Sequence, residues 1–146
     1  MLVVSKKIFY AVEAVLYIAY NAKTLPISGT ELAAAQNLPT RYLEAMMQRL
    51  VRAGILRGMR GPQGGYMLGR ERRRITLADI CAALTDKNEL PESATELGSK
   101  ILRQSATQMI TSWRETLNNV TIEQLCNNAH AEQIASVPDN NANFAI

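Results

Sequence analysis

Cysteine is scarce in this chain: there are two, Cys81 and Cys126, far apart and without a CxxC pair. That spacing excludes the framework of a small disulfide-stapled secreted domain. His130 is the single histidine. No residues fall at metal-ligand spacing, no nucleophile stands beside a base, and no phosphate-binding loop is present. The sequence Gly61-Pro62-Gln63-Gly64-Gly65 lacks the Lys-Ser/Thr that would complete such a loop, so an enzyme is not expected. Long apolar runs are also missing. The N-terminal one is broken by Glu13, has no small-residue cleavage signal and is too short to span a bilayer. The expectation is a soluble, cytoplasmic chain with no membrane partner.

Aromatic residues are only 5 %, whereas apolar residues as a whole reach 47 %. Ala and Leu dominate, which favours helices around a genuine core over disorder. The net charge of +3 hides an asymmetry. Residues 41–74 hold nine Arg against two Glu, whereas residues from 75 onward hold four basic and nine acidic side chains. One region is built to meet a polyanion and the other is not.

The periodicity predicts helices with a hairpin between them. Ile8, Val12, Val15 and Ala19, with Phe9 and Leu16, form the apolar stripe of a first helix over 5–22. Ser28-Gly29-Thr30-Glu31 has capping-box spacing, Ser28 capping and Glu31 reaching back, and opens a short second helix. The third begins at Pro39 or Thr40 and stops at Gly54. Its Leu43, Met46, Met47, Leu50 and Val51 share one face at 100° per residue; Arg41, Glu44, Ala45, Gln48 and Arg52 take the other, with Arg49 at the margin. Two short strands flank the Gly/Pro tip at 61–65. Thr76 caps a fourth helix through Leu84, and a polar loop with Pro91 follows. A long helix over 96–118 carries Leu102, Ala106, Met109, Ile110, Trp113 and Leu117 in a stripe stepping by three and four. A short helix begins at Val120-Thr121, and the tail from Ala131 is expected to be disordered. The organisation expected is a first unit over 1–84, a loop and further helices over 85–130, and a tail over 131–146.

Three helices followed at once by a hairpin is the order of a winged helix-turn-helix: mainly α, with one small β-hairpin. A helix fits the major groove of B-DNA, so outward side chains of the third helix can reach base edges. Arg41 suits guanine and Gln48 suits adenine. Ala45 between them lets the backbone approach, while Arg49 and Arg52 are placed for phosphates. Arg60, beside the glycine-rich tip, is a candidate for the DNA backbone or the minor groove. Gly61, Gly64 and Gly65 can bring main-chain N–H groups near phosphate, although the same glycines also make a turn. The cluster Arg70, Arg72, Arg73 and Arg74 is less specific and suits a solvated surface.

These residues carry a resemblance. The chain resembles the Rrf-type family of bacterial winged helix-turn-helix regulators, the IscR/NsrR/CymR-like proteins. The match rests on Ser5-Lys6 and Tyr10-Ala11-Val12, on Tyr42-Leu43-Glu44, and on Leu50-Val51-Arg52-Ala53-Gly54-Ile55-Leu56. Its most specific piece is Arg60-Gly61-Pro62-Gln63-Gly64-Gly65-Tyr66-Met67-Leu68-Gly69, supported by Ile75-Thr76 and Leu117-Asn118-Asn119-Val120-Thr121 with Leu125. It covers about residues 1–128. The resemblance implies a homodimer joined by the long helix, acting on a roughly palindromic operator in double-stranded DNA as a transcriptional regulator, a repressor by expectation. It implies that Tyr42 and Glu44 open the recognition helix and that the wing segment from Arg60 to Tyr66 meets DNA. The DNA-contacting set expected is therefore Lys6, Thr40, Arg41, Tyr42, Glu44, Gln48, Arg49 and Arg52 together with Arg60, Gly61, Pro62, Gln63, Gly64, Gly65 and Tyr66. Glu44 would tune base choice, because a carboxylate accepts from cytosine and repels phosphate.

The departure matters as much. Iron–sulfur members carry three closely spaced Cys between the fourth and the long helix, and here residues 85–100 contain none. Where cluster-bearing relatives place a ligand early in the long helix, this chain has Arg103. No cofactor is therefore expected, and no metal. Two alternatives stay open: a cysteine- or cluster-responsive regulator of the same fold, with Cys81 as its sensor, and an interaction module that no longer binds DNA.

Overall fold

The structure is a computed structural model that describes residues 5–22, 24–86 and 90–137. Ser5 caps α1 (Lys6–Asn21), its hydroxyl accepting from the Ile8 N–H. Ala11, Ala14, Val15 and Ile18 are fully buried along one face of this helix. Two of the four are alanines, and so small a stripe lets neighbouring helices approach closely. α1 is the hub: α2 (Gly29–Gln36), α3 (Thr40–Arg52), α4 (Leu77–Leu84) and α6 (Ile122–Ala131) all pack against it. Leu32, Leu43, Met46, Met47, Leu50, Ile80 and Ile122 complete a core in which no described polar side chain is buried. Each such aliphatic side chain contributes about 1.5–3 kcal/mol by leaving water.

Ser28 caps α2 from the Glu31 N–H, at 3.1 Å. The expected return bond from Glu31 is not made. Its carboxylate is turned to the Tyr17 hydroxyl instead. Reciprocal boxes form at Thr76/Asp79 on α4 and Thr121/Gln124 on α6. Asn37 closes α2 in the left-handed region, and Gly54 does so after α3 with φ 74°.

The hairpin is β1 (Leu56–Met59) paired antiparallel with β2 (Gly65–Leu68), in the register Leu56↔Leu68 and Gly58↔Tyr66. Ile27, just ahead of α2, adds a third position by pairing with Tyr66. A 3₁₀ turn at Arg72–Arg74 follows.

The core does not stop at residue 84. Thr76 pairs with Thr121, the Leu77 N–H donates to Val120 O at 3.0 Å, and Ile122 N–H donates to Ile75 O at 2.9 Å. The chain thus leaves along α5 (Arg103–Asn118) and returns, seating Ile122 and Cys126 beside α1. The long helix is helical where expected, but its first six residues, Leu97–Leu102, form a π-helical turn. The tail also differs from expectation through residue 137. Tyr20 packs against His130 with tilted rings, centroids 4.9 Å apart, and donates its hydroxyl to Ile134 O. Asn21 Oδ1 accepts from the Val137 N–H at 2.7 Å. These bonds give the backbone beyond α6 partners that an amphipathic pattern does not reveal. Residues 138–146 lie outside the described residues.

Candidate nucleic-acid interface

α3 divides as its sequence predicts. Leu43, Met46, Met47 and Leu50 are buried; Thr40, Arg41, Tyr42, Glu44, Ala45, Gln48 and Arg52 are exposed. Tyr10 of α1 meets Tyr42 edge to face, ring centroids 6.4 Å apart, which steadies the first turn of α3. Lys6 is exposed one helical turn ahead of Tyr10.

Beside α3 the wing stands off to leave an open cleft of about 400 Å³, lined by Thr30, Glu44, Met59, Arg60, Gly64 and Tyr66 among others. Gly61, Pro62 and Gln63 form the exposed tip. Gly65 lacks a side chain for a steric reason: a Cβ there would lie 2.3 Å from Ile27 O. Burial, and then the charge of Glu44, raise the Tyr66 hydroxyl above its ordinary pKa, so at neutral pH it is a hydrogen-bond donor.

The basic block separates into two sets. Arg41, Arg52, Arg57 and Arg60 are exposed and make no ion pair among the described residues. Of the others, Arg70, Arg72 and Arg73 are engaged, whereas Arg74 is exposed and likewise makes no ion pair among the described residues. Arg73 pairs with Glu71 and draws that carboxyl below its usual range. Arg70 lies 4.0 Å from Asp79, and Arg72 reaches the Cys126 thiol. Four cations left unpaired on α3 and the wing repel one another, and a polyanion relieves that. Arg57 and Thr30 are missed by the sequence reading. A strand arginine looks like any exposed residue, and Thr30 lies inside a motif that reads only as a cap.

Arg49, expected at phosphate, is turned away from the outward face of α3 in this structure. Its side chain is 26 % exposed and turned onto α4, with Nε donating to Ala83 O at 3.0 Å and Nη2 to Asp86 Oδ1 at 2.9 Å. Its marginal position on the α3 wheel puts it within reach of the neighbouring helix.

α5 buries no residue completely. It packs on α4, and Ala106, Ile110 and Leu117 are half-buried, whereas Leu102, Met109 and Trp113 are exposed. Leu97 and Ile101, 76 % and 63 % exposed, extend that open face toward the N-terminus. In α geometry Leu97 and Leu102 would stand 140° apart; the wider i→i+5 turn draws residues five apart toward one side.

The thiols do not fit an iron–sulfur cluster. Cys81 is half-buried on α4 and Cys126 buried on α6, and burial pushes both thiols up, away from the thiolate a metal needs. Among the described residues no three His, Cys, Asp or Glu side chains converge. Arg103 donates from Nη2 to Pro91 O at 2.8 Å and to Leu90 O at 3.4 Å, so it braces backbone. No helix among the described residues is long and apolar enough to cross a membrane.

Comparison with known proteins accords with this architecture. The family described as Rrf2, iron-dependent transcriptional regulator, matches residues 4–128. The chain is 30 % identical over 145 residues to the HTH-type transcriptional regulator IscR of Cronobacter sakazakii, covering 93 % of this chain and 85 % of that one. Among solved structures, T. potens IscR superposes with a TM-score of 0.75 at 30 % identity, covering 93 % of this chain and 94 % of its own. CymR, described as the global cysteine regulator of B. subtilis, gives 0.72 at 29 % identity, with 88 % and 98 % covered. These relatives are regulators and not enzymes. A winged helix-turn-helix with an outward-facing third helix, matched from residue 4 to residue 128, places this chain in the Rrf2 family of transcriptional regulators.

Proposed function

We propose that the chain acts in the cytoplasm as a homodimer that represses transcription by occupying a roughly palindromic operator, and that it does so without an iron–sulfur cluster. The observation that carries this reading is the set of unpaired guanidinium groups, Arg41, Arg52, Arg57 and Arg60, around the outward face of α3 and the wing. That set also disfavours an interaction module without DNA, which has no use for free cations on a helix of major-groove dimensions. Dimerisation is supported by the open apolar face of α5, and a twofold pair of α3 helices calls for a twofold site. The absence of a cluster is supported by the donor set: two protonated thiols, one half-buried and one buried, on separate helices.

Selection of bound DNA from a random pool tests the reading. An enriched site with two inverted half-sites about one helical turn apart is expected; no enrichment overturns it. Transcription in vitro from a promoter overlapping that site should fall as protein is added, and a rise would replace repression by activation. Anaerobic purification with iron and sulfide should leave operator binding unchanged. A stoichiometric cluster that disappears on Cys81→Ala, together with DNA binding, would reverse the cluster-free proposal.

A further inference from the structure

We propose that Arg49 is a positioning residue: its clasp on the C-terminal end of α4 sets the orientation of α3, and operator recognition depends on that clasp rather than on any contact between Arg49 and phosphate. The inference rests on α3 being the helix that reads DNA. Its basis is the direction of the guanidinium. Nε donates to Ala83 O in the last turn of α4 at 3.0 Å, and Nη2 to Asp86 Oδ1 just beyond the helix at 2.9 Å. The last-turn carbonyls of a helix lack intrahelical partners and sit at its negative pole, so a guanidinium completes α4 as much as it holds α3. The ion pair is exposed on the Asp86 side, whose carboxylate is 94 % accessible, and alone it would contribute little. Combined with the half-buried Nε bond it makes a two-point fork that a single ammonium cannot reproduce.

The placement on α3 gives the clasp its leverage. Glu44 and Arg49 are five residues apart, hence about 140° around the helix. Glu44 faces the wing cleft and Arg49 grips α4 on the opposite flank, with Arg41, Ala45, Gln48 and Arg52 facing outward between them. Loss of the Arg49 grip leaves α3 attached by its apolar face but free to roll. A roll misaims base contacts and leaves diffuse attraction to phosphate in place. The clasp also lies where the chain departs from α4 toward α5, so the setting of the arm and that of α3 are tied through one side chain.

Asp86→Ala separates the possibilities. Removing a carboxylate from a DNA-binding protein ordinarily strengthens binding to every duplex. The clasp predicts the opposite for the selected operator, a loss on the order of tenfold, as for other residues that touch neither partner, with random-sequence binding undiminished. Arg49→Ala should lose operator preference to the same degree, and the double variant should lose no more than either single one. The log K against log salt slope should stay at its wild-type value in Arg49→Ala, and Arg49→Lys should fail to restore preference. A slope flattened by about 1 per protomer would make Arg49 a phosphate contact. Operator binding by Asp86→Ala that is equal to or tighter than wild type overturns the proposal. Because Asp86 is exposed, that variant stays informative even if Arg49→Ala unfolds. Wild-type protein that enriches no sequence would instead remove the DNA reading and the clasp with it.

Discussion

Ile27 and Tyr66 exchange both of their backbone hydrogen bonds, Ile27 N–H to Tyr66 O at 3.0 Å and Tyr66 N–H to Ile27 O at 2.8 Å. The wing is thereby fastened to the residue just ahead of the Ser28 cap of α2, and cleft, wing and α3 form one unit.

Gly65→Ala should break that fastening. Its Cβ would lie 2.3 Å from Ile27 O and 2.8 Å from Ser28 N. Backbone on both sides cannot yield cheaply, and overpacking of this kind costs on the order of 1–3 kcal/mol. Gly29→Ala is the control: its Cβ would meet the Tyr66 ring at an ordinary 3.7 Å in the first turn of α2. It should stabilise by roughly 0.4–1 kcal/mol through the unfolded chain. Denaturant melts of the pair check this, and equal midpoints would refute it.

The exposed cations and polar groups of α3 and the wing should fall into two roles. Arg52→Ala and Arg60→Ala should weaken binding to all duplexes and flatten the salt slope by about 1 per protomer each. Arg41→Ala and Gln48→Ala should instead relax base preference, costing about 1–3 kcal/mol at one base pair. Fluorescence anisotropy with operator and random duplexes at several salt concentrations distinguishes them. A uniform loss on both duplexes for all four would remove the division.

Much of this was legible in the sequence, for reasons that particular residues show. Leu43, Met46, Met47 and Leu50 fix the buried face of α3 by spacing alone, and the outward face follows. The wing was legible because its glycine-rich tip interrupts two short strands. Pairings across sequence were not. Arg49 finds Ala83 and Asp86 more than thirty residues away, and Glu31 abandons its own cap for Tyr17. The π turn at Leu97–Leu102 leaves no periodic mark that differs from an α-helix over so short a span. Nor does composition announce that Ile122 and Cys126 return to the first core, because α6 is only ten residues long.

Trp113→Glu should dissociate the dimer while sparing the protomer. Trp113 and Met109 are 42 % and 59 % exposed on the open face of α5, so neither holds its own chain together. Covering a carboxylate by a partner would cost at least about 2 kcal/mol, a roughly thirtyfold weaker association. Sedimentation should show monomer at micromolar concentration with the helical circular dichroism unchanged. Leu97→Glu should act in the same direction if the π turn extends that face. An undisturbed dimer in both variants would move the interface elsewhere.

The thiols give a pH dependence of defined sign. Burial raises Cys81 and Cys126 above the ordinary thiol pKa, which is about 8.5 in an unfolded chain. Between the unfolded and folded values the native state keeps protons that the unfolded chain has released, so stability must fall as pH rises. It is therefore full at neutral pH and declines from about 8.5 upward through the folded values. Tyr17 and Tyr66, raised by burial first and then by Glu31 and Glu44 respectively, steepen the decline above about 10. Cys81→Ala and Cys126→Ala should each cost roughly 1 kcal/mol at pH 7 and flatten the first part of the alkaline slope. The same protonation makes Cys81 a poor nucleophile, so iodoacetamide at pH 7 should modify the native protein more slowly than free cysteine. Stability that climbs from pH 7.5 to 9.5, or modification faster than free cysteine, would show a thiolate where the fold stores a thiol, and Cys81 would again be a candidate sensor.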